Sequence, residues 1–148
     1  MIHLEDSVII DANVQDVYKV AEDVEKHPIV IPYFKSVKVL DKNENMKLVK
    51  RTAEINGKQR SWIGRLIYHE NRMIEYEQVD GPLKGMTGEW IFGDLTDHHQ
   101  TKLTITHNIN SPGFLMGKIL GPFLKRIVGK SARNTLTCIK QYMEQGKN

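Results

Sequence analysis

The sequence predicts an α+β fold in which a strongly curved antiparallel sheet of about seven strands wraps around one long C-terminal helix. Two observations lead to this prediction. Hydrophobic residues alternate with polar ones through most of residues 34–109, and they return to helical spacing after residue 113. The helix needs the sheet to cover its apolar stripe, and the sheet needs the helix to cover its inner face.

One strand and two short helices are expected before this region. Residues 2–10 alternate as a strand does. Asn13 then offers a side chain suited to the N-cap of a helix whose apolar residues, over 14–21, recur at helical spacing. A second short helix is predicted from Val24 towards Ile31, interrupted by Pro28 and ended by Pro32.

The Asn-Gly pair at 56–57 is the strongest hairpin signal in the chain and suits a two-residue type I′ turn. Such a turn pairs Arg51 with Trp62 and Val49 with Gly64, all on one face of the sheet. The opposite face of these two strands is mostly polar, so the face that carries Trp62 is predicted to be the inner one.

A three-residue loop at 69–71, with Asn71 in the left-handed conformation, is predicted to join the next two strands. This loop pairs Leu66 with Ile74. The same register gives two further pairs, Gly64 with Tyr76 and Trp62 with Gln78. Two later runs, 86–95 and 101–109, should also place one parity inward.

The final helix is predicted from apolar residues at i, i+3, i+4 and i+7 over about five turns, with Pro122 in its first turn or at a kink. Its predicted inner stripe consists of Leu124, Ile127, Val128, Ser131, Thr135, Cys138, Ile139 and Tyr142. The middle of this stripe, at Ser131 and Thr135, is small and polar, where a packed core would need bulk.

Two glycines on the predicted inner face, Gly64 and Gly88, also remove bulk, so we expect an amphipathic cavity between sheet and helix. The predicted cavity residues are Arg51, Trp62, Gly64, Tyr76, Gln78, Gly88, Trp90, His107, Ser131 and Thr135. The predicted rim residues lie in loops that flank the helix, and they are Tyr33, Leu83 and Phe114.

Each of these residues also has a purely structural interpretation. The glycines could be β-bulges, the two tryptophans could be core residues, and His107 could be a hydrogen-bonded core histidine. Arg51 could reach past the sheet edge or stack on Trp62 as a cation–π pair. The cavity hypothesis rests on all of them falling on one face under one register.

Length and composition favour one domain over 1–148. The N-terminus lacks the basic start and apolar stretch of a signal peptide, and no apolar run is long enough to cross a bilayer, so we expect a cytoplasmic protein. Cys138 is the single cysteine, which excludes an internal disulfide. No cofactor motif occurs, and His98 and His99 lack a third metal ligand at suitable spacing.

The charge is unevenly distributed. Residues 98–143 carry seven Lys and Arg and no acidic residue, whereas the chain as a whole has a net charge of +3. A basic solvated helix face accounts for this, and so does contact with an anionic surface. Apolar residues accompany the basic ones over 114–133, which suits either peripheral contact with an anionic membrane or a lid packed over the cavity mouth. Nucleic acid is not an expected partner.

Several segments resemble the START-like (SRPBCC) superfamily. Residues 7–24, SVIIDANVQDVYKVAEDV, and the following HPIVIPYFKSVKVL are similar to the opening of polyketide cyclase/dehydrase and coenzyme Q-binding domains. GKQRSWIGRL at 57–66, GMTGEWIF at 85–92 and TKLTITHNI at 101–109 resemble later strands of aromatase/cyclases. The resemblance covers nearly the whole chain and implies a helix-grip fold with a ligand cavity.

The resemblance also implies where this chain departs from aromatase/cyclases. Their stretch matching Trp62–Leu66 reads W-T-S-R-R, and its inward Ser and Arg position the polyketide, whereas this chain has Gly64 and Leu66 there. Arg65 is retained, but the register points it outward. We therefore expect a binder or carrier of a lipid, quinone or polyketide-like compound. The alternatives are a cyclase-like enzyme acting through Tyr76 and His107, and a ribosome- or protein-binding regulator that uses the basic segment.

Overall fold

The structure is a computed structural model that describes residues 1–55, 57–110 and 114–145, with the backbone alone at residue 96 and over 114–120. In these parts of the chain, seven strands form one antiparallel sheet in the order β1-β7-β6-β5-β4-β3-β2. The strands are β1 (Ile2–Ile10), β2 (Phe34–Lys42), β3 (Met46–Ile55), β4 (Lys58–His69), β5 (Met73–Asp80), β6 (Thr87–Asp94) and β7 (Thr101–Ile109). The helices are α1 (Val14–Glu22), α2 (His27–Val30) and α3 (Phe114–Glu144), and short 3₁₀ turns span Val24–Lys26 and Thr96–His98. The predicted helix-grip architecture is confirmed.

Local chemistry explains the start of the fold. The Asn13 side chain accepts a hydrogen bond from the Asp16 backbone N–H at 2.9 Å, which caps α1 as predicted. The apolar face of α1 packs on the sheet, where the rings of Tyr18 and Phe92 meet edge to face at 5.2 Å between centroids. The predicted second helix is instead a 3₁₀ turn followed by the four-residue α2, which has Pro28 in its first turn.

The predicted β3–β4 register is confirmed, with Arg51 opposite Trp62 and Val49 opposite Gly64. Asn56 itself lies outside the described residues, and Gly57 has a φ of 78°. The inward parities predicted for β6 and β7 are also confirmed, because Phe92, Leu103 and Ile105 are buried.

The predicted β4–β5 register is wrong by two residues. Leu66 pairs with Tyr76 rather than Ile74, and Gly64 pairs with Gln78. The turn is one residue later than predicted because His69 still belongs to β4 and pairs with Met73, where its ring binds the Glu75 carboxylate at 2.7 Å. Asn71 is left-handed as predicted, with a φ of 60°. A two-residue shift preserves parity, so the predicted inner face is retained.

Helix α3 is fixed to β1 along its C-terminal half. Lys140 Nζ donates to the Ile9 carbonyl at 2.7 Å, and Glu144 accepts from the Asp11 backbone N–H at 2.9 Å. The buried stripe of α3 differs from the predicted one in the last turns of the helix, where Tyr142 is 43% exposed. The helix buries Ala132, Leu136 and Ile139 and packs Met143 beside them, a spacing of i, i+4, i+7 and i+11. Pro122 lies inside the helix, well past its first turn.

Candidate functional site

A cavity of about 600 Å³ separates the inner face of the sheet from the middle of α3. This volume is within the range of roughly 300–1,000 Å³ that is usual for small-molecule sites. Most of its lining is apolar and comprises Ala21, Val24, Phe34, Ile55, Trp62, Leu66, Ile74, Pro82, Leu83, Met86, Trp90, Ile105, Phe123, Leu124, Ile127, Val128 and Ala132. Its polar lining comprises His27, Tyr33, Arg51, Lys58, Arg60, Tyr76, Gln78, His107, Ser131 and Thr135.

The structure brings eight of the ten predicted cavity residues into this lining, together with the predicted rim residues Tyr33 and Leu83. The side chain of Phe114 lies outside the described residues, as do those of the rest of 114–120 in the predicted membrane-facing segment. Of that segment, Phe123 is 52% exposed at the cavity, and Lys125, Arg126 and Lys130 are exposed on α3.

Gly64 and Gly88 are absent from the described lining, and each has a steric role instead. The ring of Tyr76 occupies the place that a side chain at Gly64 would take, next to a register shift between Ile63 and Gly64. At Gly88, a β-carbon would collide with the backbone carbonyl of Thr106 in β7. The glycines thus let neighbouring groups approach closely, and the cavity owes its space to Ser131, Thr135 and the curvature of the sheet.

Sequence reasoning missed His27, which is buried in α2 and lines the cavity. Its Nε2 donates to the Ala21 carbonyl at 2.9 Å, and its Nδ1 accepts from Arg51 Nη1 at 3.0 Å. An imidazole that donates at one nitrogen and accepts at the other is neutral. Burial, helped by the Arg51 charge, lowers the pKa of His27 to about 3. The ring also stacks on Trp90, with 6.0 Å between centroids and 4° between planes.

Arg51 lines the cavity and takes neither of the two alternative positions considered from the sequence. Its guanidinium lies 4.7 Å from the centre of the Phe34 ring, and so it stacks on Phe34 rather than on Trp62 or beyond the sheet edge. The side chain is buried, and that burial lowers its pKa. The cationic group therefore sits in an aromatic setting formed by α2 and β2.

Gln78 is 3% exposed and holds the loop that carries Leu83. Its Oε1 accepts from the Leu83 backbone N–H at 2.7 Å, and its Nε2 donates to the Tyr76 hydroxyl at 3.4 Å. Because the Tyr76 oxygen accepts this bond, its own O–H is directed elsewhere. Burial raises the pKa of Tyr76, so the phenol stays protonated at neutral pH.

His107 lies on β7, in one lateral row of the sheet with Tyr76 and Gly88. Its Nδ1 is buried and has no hydrogen-bond partner among the described residues. Burial lowers the pKa of His107 to about 4, so the ring is neutral at pH 7. Two strand spacings, about 10 Å between Cα atoms, separate it from Tyr76 across a glycine that places no side chain between them.

The remaining predictions about chemistry have simple outcomes. Arg65 points outward, as predicted, and forms an ion pair with Glu77 at 3.1 Å. Within the described ranges no cluster of three or more His, Cys, Asp or Glu side chains could hold a metal ion. The same ranges contain no helix long and apolar enough to span a bilayer.

Several solved structures and one family model are similar to this chain. The chain is similar in fold to the Zhui aromatase/cyclase from Streptomyces sp. R1128, with a TM-score of 0.88 and 21% identity over 99% of this chain and 96% of that one. A START superfamily protein from Mycobacterium smegmatis has a TM-score of 0.80 and 18% identity, with 97% of each chain covered. The di-domain aromatase/cyclase StfQ of the steffimycin pathway also has a TM-score of 0.80, at 19% identity, and 51% of its length is covered.

No curated protein matches the chain significantly in sequence. The family model for polyketide cyclase/dehydrase and lipid transport matches residues 10–135, which include α1, α2, all of β2–β7 and most of α3. With a helix-grip fold and a family match over most of its length, this chain belongs to the polyketide cyclase/dehydrase and lipid transport family.

Proposed function

We propose that this protein binds a hydrophobic small molecule, such as a lipid, a quinone or a polyketide-like compound, in its cavity and carries it without transforming it. The observation that carries the proposal is a largely apolar cavity of about 600 Å³ with a few convergent polar groups. Burial of apolar surface is favourable, and an apolar molecule bound in the cavity would cover its apolar wall.

The carrier is favoured over the enzyme by the inner face of β4. Gly64 and Leu66 stand where the resemblance to aromatase/cyclases implies a Ser and an Arg, and Arg65 faces solvent. Beyond the exposed Lys58 and Arg60 near the hairpin tip, β4 therefore contributes the apolar side chains of Trp62 and Leu66 to the cavity wall, which suits retention of a ligand more than stabilisation of charge that develops during a reaction.

Native mass spectrometry of protein purified from cells tests the proposal, and a co-purifying lipid or quinone is the expected result. Thr135 is buried in the cavity wall, whereas Thr137 is exposed on the same helix, so the two residues offer a matched pair. Thr135→Leu should fill part of the cavity and reduce the bound fraction, while Thr137→Leu should leave it unchanged. An empty wild-type protein that also fails to bind added quinones or fatty acids contradicts the proposal.

A second candidate is a polyketide cyclase-like activity, supported by the family match and by the buried, unpartnered Nδ1 of His107. In that role neutral His107 would remove a proton alpha to a carbonyl, and the Tyr76 O–H would donate to the enolate oxygen. Turnover of a poly-β-ketone mimic that is lost in both Tyr76→Phe and His107→Gln supports this candidate. Binding of the mimic without turnover supports the carrier.

A further inference from the structure

The Arg51 guanidinium is a buried cation that has no acidic partner among the described residues. Within the described parts of the chain, Asp and Glu side chains form ion pairs with Lys26, Lys47, Arg65, Arg133 and Lys140 and with three histidines, but none does so with Arg51. The described cavity lining likewise contains no Asp or Glu. The titratable groups that face Arg51 are His27 and three tyrosines, at residues 33, 68 and 76, and all four are uncharged at neutral pH.

Burial of such a charge destabilises the folded state, because an ion that is neither paired nor fully hydrogen-bonded loses its hydration without compensation. A guanidinium has five N–H donors and does not release its proton in proteins. His27 takes one of these donors, and Phe34 covers a face of the group. A protein that needed only an apolar wall here would be more stable with an apolar residue at this position.

The surroundings also orient Arg51 rather than leaving it mobile. Nε2 of His27 is anchored on the Ala21 carbonyl and the ring is stacked on Trp90, so Nδ1 is fixed as an acceptor for Nη1 of Arg51. A preorganised cation of this kind binds an anion without first having to be ordered. The geometry matches a binding group more closely than a residue whose charge is merely tolerated.

We propose that the cavity takes a hydrophobic ligand that bears an acidic oxygen, either a carboxylate or an ionised enol or phenol, and that Arg51, oriented by His27, pairs with that oxygen. This proposal rests on the proposed binding function. The planar fork of the guanidinium suits two oxygens in one plane, which a carboxylate offers and an enolate beside a carbonyl also offers.

The other cations of the lining are less suited to this role. Lys58 and Arg60 are exposed near the tip of the β3–β4 hairpin, where water already solvates them. Arg51 lies four residues from Ile55, the last residue of β3, which is about 13 Å along the strand. The exposed Lys50, which neighbours Arg51 on β3, lies outside the described lining and provides a matched control for Arg51.

Calorimetric titration with two matched pairs of probes tests the proposal. The first pair is 2-hydroxy-1,4-naphthoquinone, which is an ionised enol at neutral pH, and 1,4-naphthoquinone. The second pair is decanoate and 1-decanol. In the wild-type protein at least one anion should bind about tenfold to about a hundredfold more tightly than its neutral partner, as a charge-assisted hydrogen bond in a buried site requires. The pair that shows the preference identifies the acidic group as an enolate or a carboxylate.

Substitutions locate the preference. Arg51→Met should bring each anion and its neutral partner to similar affinities, and Lys50→Met should leave the preference intact. His27→Phe keeps a ring against Trp90 but removes the acceptor, so it should reduce the preference without reducing affinity for the neutral probe. Equal affinity for charged and neutral probes in the wild-type protein overturns the proposal whatever the variants do. A preference for the anion that persists in the Arg51→Met variant also overturns the proposal. If none of the four probes binds, the proposed binding function fails and this inference fails with it.

Discussion

The ring of Tyr76 lies against the α-carbon of Gly64, in the space that a side chain at residue 64 would fill. The two residues are diagonal neighbours on adjacent strands, because Gly64 pairs with Gln78 and Tyr76 pairs with Leu66. The glycine therefore sets the position of the phenol in the cavity wall. A family member with a larger residue in this place must hold its tyrosine differently or have another residue there.

Gly64→Ser should destabilise the fold by about 1–3 kcal/mol, because the new side chain displaces the Tyr76 ring from a packed position. Combining it with Tyr76→Ala should cost less than the sum of the two single changes, since the obstruction is then gone. Urea unfolding of the two single variants and the double variant measures both effects. Gly93→Ser is the control, because a β-carbon at Gly93 meets its nearest neighbours at 3.5 and 3.7 Å. Equal destabilisation at Gly64 and Gly93 contradicts the steric explanation.

Gly88→Ala should be at least as damaging as Gly64→Ser, because the atom in its way is the Thr106 backbone carbonyl of the paired strand. A backbone atom cannot rotate aside as a ring can, so β6 and β7 must separate locally, at a cost of about 2 kcal/mol or more. Urea unfolding, with Gly93→Ala on the same strand as control, measures this. Amide hydrogen exchange should speed up along the β6–β7 ladder only in the Gly88 variant. Unchanged protection there would rule out this account.

Stability should fall as the pH is lowered from 6.5 towards 4. The folded-state pKa values of His27 and His107, about 3 and about 4, lie below the ordinary value of 6.5. Between pH 6.5 and 4 these histidines bind protons in the unfolded chain but not in the folded chain. The free energy of unfolding therefore rises with pH and falls on acidification. Each histidine should account for a loss on the order of 2 kcal/mol between about pH 7 and about pH 4.5.

Urea unfolding at these two pH values, in the wild-type protein and in His27→Gln and His107→Gln, measures this dependence. Each substitution should flatten the pH dependence by removing one titrating group, even if it lowers stability at pH 7. His99→Gln changes an exposed residue and is the control. A pH dependence that is the same in all four proteins would show that neither buried histidine is responsible.

We also expect the protein to associate with anionic membranes through α3. Phe123 is half-exposed at the cavity, and Lys125 and Arg126 follow it on the same helix. An apolar side chain beside basic ones favours the surface of a phosphatidylglycerol bilayer over that of a phosphatidylcholine bilayer. Flotation with the two kinds of vesicle at low salt should show this preference.

The Phe123→Ser variant and the double variant Lys125→Gln with Arg126→Gln should each float less well. Lys38→Gln with Lys50→Gln removes two exposed charges from β2 and β3 and should have no effect. Absence of binding to phosphatidylglycerol vesicles at low salt would exclude this surface as a membrane contact.

The sequence by itself determined the order of elements, the inward parity of the strands and the greater part of the cavity wall. These properties follow from periods of two and 3.6 residues, which each segment expresses without reference to distant parts of the chain. The parity survived the error in the β4–β5 register, since a shift of two residues leaves Trp62, Leu66 and Tyr76 on the same face. The cavity was likewise predictable from Ser131 and Thr135, which leave the middle of the long helix without bulk.

Tertiary structure alone decided what the polar groups do. Nothing local marks His27, which lies in a one-turn helix before a proline and becomes buried because α2 packs against the sheet. Its bond to Arg51 joins residues 24 positions apart, and the stacking of Arg51 on Phe34 joins β3 to β2. The two strand glycines were interpreted as missing volume, yet their neighbours fill that volume from the next strand. The hydrophobic pattern of the sequence assigns a side chain to one face of its strand or helix. The residue that this side chain contacts is set by diagonal and long-range neighbours, which only the folded chain brings together.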